Sequence, residues 1–80
     1  QGDYESAIAD LTMAIDFYDW TSVLGMRGVV YALAGFDEQA AYDFNEAMKA
    51  DPDLFWARNF AERAGYRAGI VDEFIRQLRP

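Results

Sequence analysis

Apolar residues return at helical spacing along most of this chain. In the first stretch Tyr4, Ala7, Ile8, Leu11, Ala14, Ile15 and Tyr18 recur at three- and four-residue steps, which gathers them on one helix face. Ala40, Ala41, Phe44, Ala47 and Met48 repeat that pattern further on. Between them, Thr21 to Ala34 reads as a helix closed by Gly35 as its C-cap. Gly25 and Gly28 lie inside it. An interior glycine costs about 1 kcal/mol against alanine, so the pair predicts a face where another backbone comes close. Pro52 ends the next helix because its nitrogen cannot donate to the ladder. A fourth helix is predicted over Leu54 to Ala68, closed by Gly69, and a short fifth over Ile70 to Leu78. The fifth carries Ile70, Val71, Phe74, Ile75 and Leu78 on one face. Asp3, Asp37 and Asp53 are the expected N-caps. Nothing alternates with period two over a useful length, so no strand is predicted, and the short connections predict antiparallel neighbours.

The chain also repeats itself. Shifted by 33 residues, segment 2–18 falls on segment 35–51 with five identities: Gly2 on Gly35, Glu5 on Glu38, Ala7 on Ala40, Asp10 on Asp43 and Ala14 on Ala47. Chance gives roughly one. Leu11 against Phe44 and Ile15 against Met48 keep the apolar character. The two segments read as copies of one structural unit.

The middle unit runs Leu24-x2-Arg27-Gly28-x2-Tyr31, then Gly35, then Ala40-x3-Phe44, Ala47 and Pro52. This resembles the tetratricopeptide repeat, whose signature is W-x2-L-G-x2-Y, then A-x3-F, A and P within about 34 residues. Leu24 replaces the signature tryptophan and Arg27 the leucine. The resemblance implies an all-α fold of antiparallel helix pairs stacked as a short tetratricopeptide-like α-solenoid of about five helices. The single domain 1–80 then divides into the second helix of a partial repeat (1–19), a complete repeat (20–53) and a partial repeat with a C-terminal capping helix (54–80). The last part departs most from the pattern, with Gly65 at the expected tyrosine and Phe74 at the expected small residue. Gly28, Ala40 and Ala47 would sit where paired helices cross closely, with Tyr31 and Phe44 filling the space between pairs.

Composition narrows the chemistry. Eighty residues allow one small domain, and 52% hydrophobic content is enough for a packed core. With no cysteine and no histidine there is no disulfide framework, no Cys/His zinc site and no histidine-based triad. Lys plus Arg number 7 against 14 Asp plus Glu, a net charge of −7 that opposes a nucleic-acid partner. The acids at Asp37/Glu38, Asp51/Asp53 and Asp72/Glu73 lie at predicted helix starts, where the dipole favours them, and none forms a calcium loop. No nucleophile–base pair, phosphate loop or metal cluster can be assembled, so neither enzymatic activity nor a cofactor is expected. The chain reads as a piece of a longer soluble protein without membrane insertion, and the cytoplasm is the expected compartment.

Function is then expected from surfaces. In the resembled family the first helix of each pair lines a concave groove that binds a peptide segment of another protein. That would make Ser22, Gly25, Val29, Ala32 and Leu33 of the middle repeat, and Trp56, Asn59, Arg63, Tyr66 and Arg67 of the third, the partner-binding groove. On a helix reaching Ala68, Asn59, Arg63, Tyr66 and Arg67 share one face and would suit a carboxylate or an acidic peptide. Tyr4, Tyr18, Tyr31, Tyr42, Phe44 and Phe60 are expected in packing, and Trp20 and Trp56 at the starts of first helices. The alternative is a self-associating assembly subunit, a homo-oligomer held by the first helix face around Tyr4, Ile8, Leu11 and Ile15.

Overall fold

Five helices follow one another in the computed structural model, which describes residues 3–18, 21–67 and 69–78: α1 (Tyr4–Tyr18), α2 (Thr21–Ala34), α3 (Asp37–Met48), α4 (Phe55–Arg63) and α5 (Ile70–Leu78). No strand occurs among the described residues. The fold is all-α, as the periodicity predicts. Tyr18 keeps its helical backbone, but its side chain and Trp20 lie outside the described residues.

The helices gather around α2, which packs most extensively on α3, then on α1 and α4, and also meets α5. The two glycines inside α2 make this possible. A Cβ on Gly28 would lie 3.0 Å from the Phe44 ring, and one on Gly25 would lie 3.2 Å from Cβ of Ala57 and 3.5 Å from Cβ of Ala47. Gly28 therefore seats α3, and Gly25 lies where α3 and α4 both approach. The core runs from Val29 through Ala40, Phe44, Ala47, Leu54, Ala57 and Ala61 to Ile70, Val71 and Phe74, and Phe74 stands 5.3 Å from Phe44, ring to ring. All of these come from α2 onward. The described α1 side chains are at most half-buried.

One charged pair crosses this apolar centre. Asp43 is 1% exposed and receives both Nε and Nη2 of Arg27, at 2.8 and 2.9 Å. Nη1 of Arg27 donates to Thr12 of α1 at 3.2 Å, and the guanidinium lies 5.4 Å from the Tyr31 ring. The Asp43 hydrogen bonds, against an opposing effect of partial burial, raise the Arg27 pKa further above its usual range. Three helices are thus tied at one side chain.

Two helix ends share a motif. At the end of α2, Gly35 has φ +92°, its N–H donates to the carbonyl of Ala32, and the N–H of Phe36 donates to that of Tyr31. Gly65 does the same after α4, with φ +79° and the bonds Gly65 to Glu62 and Tyr66 to Ala61. These are Schellman closures. Each adds an aromatic contact across the turn, Phe36 with Tyr31 at 6.0 Å and Tyr66 with Phe60 at 5.8 Å. The expected closure at Gly69 is thereby corrected. α4 ends at Arg63, and the spacing Gly65, Ile70, Phe74 matches Gly35, Ala40, Phe44. Phe74 accordingly occupies a buried aromatic position and does not replace a small residue.

Capping differs from expectation at two starts. Asp3 caps α1 as predicted, accepting from the N–H of Ser6 at 3.2 Å and its hydroxyl at 2.8 Å. Asp37 is instead the first helical residue of α3, after Phe36, whose side chain makes no capping bond. At α4 it is Asp51, and not Asp53, whose carboxylate accepts from a first-turn amide, that of Trp56 at 3.2 Å. Leu54 precedes α4 with φ 53° and ψ 44°, a left-handed conformation costing a non-glycine residue about 1–2 kcal/mol. Burial of its side chain, 1% exposed, offsets that strain. Tyr42, expected in packing, is 62% exposed.

Three outcomes test this description. Replacing Asp43 by leucine leaves Arg27 without its counter-charge and should cost about 3–5 kcal/mol in urea unfolding. Domains of this length hold only about 4–12 kcal/mol in total. Adding Arg27→Met should restore much of the loss, whereas equal losses in single and double variants would show that charge is not the cause. Gly65→Ala should destabilise by about 1 kcal/mol or more, because its φ is positive, while Gly69→Ala should be close to neutral in the same thermal melts. The two bonds from Ser6, its hydroxyl first, hold the Asp3 pKa below its ordinary 3.8. A lowered carboxyl pKa stabilises fully above 3.8 and loses that contribution as pH falls through the folded value. The stability gap between Asp3→Ala and the parent should therefore close in acid, and a gap that persists there would assign it to another cause.

Candidate functional site

The expected groove residues separate into three groups. Gly25 and Val29 are interior. Their face of α2 is covered, Gly25 by Ala57 and Ala47 and Val29 within the core cluster, so neither offers surface to a partner. Ser22 is half-buried, and Ala32 and Leu33 pack against the core from partly buried positions. Of the residues expected on α2, Gly25 and Val29 are therefore covered by their own neighbours, while Ser22, Ala32 and Leu33 keep part of their surface.

On α4 the outcome differs. Trp56, Asn59 and Arg63 are spaced i, i+3 and i+7, so they share a helix face. Trp56 is 50% exposed, and Arg63 is exposed with no hydrogen bond or ion pair among the described residues. Tyr66 and Arg67 do not extend this face, because Gly65 turns the chain before them. Tyr66 is half-buried between Tyr4, at 6.3 Å, and Phe60. Arg67 is paired with Glu73.

The structure adds residues that the sequence reading missed. Phe55, Arg58, Asn59 and Glu62, at i, i+3, i+4 and i+7, line an open depression of about 330 Å³. Phe55 is 56% exposed and meets the Trp56 ring edge-to-face at 5.1 Å. Arg58 is anchored, its Nε donating to the Asp53 carbonyl at 2.8 Å and its Nη1 to Asp72 of α5 at 2.6 Å. The heptad spacing of Phe55 and Glu62 was the available signal.

A second depression, of about 350 Å³, is lined by Arg27, Tyr31, Glu38, Gln39, Tyr42 and Asp43. Its guanidinium is already committed to Asp43 and Thr12, so it offers no free cation to an anionic ligand. Among the described residues no group of three or more Asp or Glu side chains could hold a metal ion, and no helix is long and apolar enough to cross a membrane. No family model matches the chain, and neither does any curated protein or solved structure.

Proposed function

We propose that this chain is a protein-interaction module, a short tetratricopeptide-like stack of helix pairs, that takes a peptide segment of another protein on the outer face of α4. One observation carries the reading. Phe55 and Trp56 open α4 with about half their surface exposed, ring against ring, at the rim of a depression furnished by Arg58, Asn59 and Glu62. Exposed aromatics beside arginine are the residue types that dominate binding energy at protein interfaces. Arg63 adds a guanidinium without a partner among the described residues, which suits an acidic group on the incoming segment. The 33-residue duplication and the matched closures at Gly35 and Gly65 support the stacked-pair architecture. Binding is non-covalent, needs no cofactor and involves no catalysis. A cytoplasmic setting belongs to the same proposal.

A second reading, assembly through α1, is favoured by Met13 and Phe17, which are 69% and 82% exposed. Against a symmetric α1–α1 contact, the helix carries Glu5, Asp10 and Asp16 and no basic residue, so two copies would face acid with acid.

Selection of binders from a random twelve-residue peptide library on the immobilised chain tests the first reading. Recovered peptides should be rich in acidic and apolar residues. Trp56→Ala or Phe55→Ala should weaken them about 30-fold or more, and Arg63→Glu about 10-fold. Recovery of no binder, or of binders indifferent to all three substitutions, would overturn it.

A further inference from the structure

Where α1 passes the turn between α2 and α3, the surface forms a recess of a different chemistry from that on α4. Glu5, Ile8 and Ala9 of α1, Tyr31 of α2, Phe36 of the turn and Gln39 of α3 line an open depression of about 290 Å³. Phe36 is 45% exposed, and its ring meets that of Tyr31 at 84° with 6.0 Å between centres. The adjoining depression shares Tyr31 and Gln39 and adds Glu38 and the exposed Tyr42. Aromatic rings therefore stand in one recess with a carboxylate from each helix.

Both carboxylates are exposed and have no hydrogen bond or ion pair among the described residues. From Tyr4 to Met48 the sole basic residue is Arg27. Its charge is answered by the Asp43 fork, so it does not neutralise Glu5 or Glu38. The local field is negative, and aromatic ring faces add to it. Arg27 lies 5.4 Å from the centre of the Tyr31 ring, so the chain already holds one guanidinium against this side chain.

A neutral or acidic occupant would leave the carboxylates unanswered. A cation on an apolar stem answers both halves of the recess. Arginine fits best, because its guanidinium stacks on rings and forks onto carboxylates while its methylenes can lie on Ile8 and Ala9. A second copy is a poor source, because each chain carries a net charge of −7. We propose that the recess between α1 and the start of α3 binds an arginine side chain on a basic segment of another protein. Glu5 and the Tyr31–Phe36 rings hold the head group, and Glu38 attracts a further basic residue of the segment. The inference is independent of the α4 face, whose free guanidinium selects acids.

The experiment titrates the isotope-labelled chain with a capped twelve-residue peptide of alternating arginine and alanine, in about 0.15 M salt, and follows amide shifts by NMR. The largest shifts should fall on Glu5, Ile8, Phe36 and Gln39. A peptide with glutamate in place of arginine should leave those amides unmoved. Phe36→Leu, which keeps apolar bulk without the ring, and Glu5→Gln should each weaken the arginine peptide about 3–10-fold. Asp10→Asn removes the same charge from α1 outside this recess and should weaken it less than about 2-fold. Shifts spread over all the acidic residues, or equal losses for Asp10→Asn and Glu5→Gln, would reduce the binding to general charge attraction and overturn the inference. So would Phe36→Leu and Glu5→Gln chains that keep their helical circular dichroism and bind as the parent does. Light scattering showing a dimer that Phe36→Leu dissociates would also overturn it, since the recess would then belong to a second copy.

Discussion

A buried carboxylate that must be answered by a guanidinium is the constraint on which this fold turns. Asp43 is almost fully enclosed, and an isolated charge there would be untenable. Arg27 reaches it from α2, which fixes the rotation of α2 against α3. The next residue, Gly28, lets Phe44 lie directly on the backbone, which fixes their separation. The same guanidinium holds Thr12, so α1 is oriented by what remains of its donors. A hydrophobic pair of similar shape could give comparable stability. It would not define register in the same way, because apolar contacts are non-directional while the Arg–Asp fork has a plane.

Much of the architecture was legible because its signals are local. Five segments of helical period, the small residues at the α2–α3 crossing and the Asp3 cap are written in adjacent residues. What escaped depended on contacts between distant ones. Gly65 and Gly69 are equal as symbols. Gly65 closes α4 because Tyr66 finds Phe60 across the turn, and the echo of Gly35-Phe36 in Gly65-Tyr66 was the readable clue. Gly25 and Val29 were expected at a surface because helical spacing says which residues share a face, without saying which neighbour covers it. Asp37 and Asp53 lost their capping roles to turn geometry, since a cap requires a particular backbone as well as an acceptor.

The site was legible in part for the same reason. Trp56, Asn59 and Arg63 share a face because their spacing survives within the shorter helix, while Tyr66 and Arg67 were lost with its last turn. The two exposed faces also differ in kind. That on α4 combines aromatic rings with arginine and amide groups. That on α1 joins Met13 and Phe17 to acidic residues and carries no basic group. Surfaces so unlike in charge would favour different occupants.

The left-handed backbone at Leu54 has a bearing on how α4 meets anything. A leucine held at φ 53° with its side chain buried sets the elbow by which the chain enters the helix. To re-aim Phe55 and Trp56, the chain would have to withdraw that side chain from the core. The backbone beneath the aromatic pair is thus tied to the core, and an arriving segment would have less backbone entropy to remove from its receptor than at a free loop. For a segment docking there as proposed, selectivity would arise mainly from its own fit, and differences among such segments would be expressed chiefly in how long each one stays.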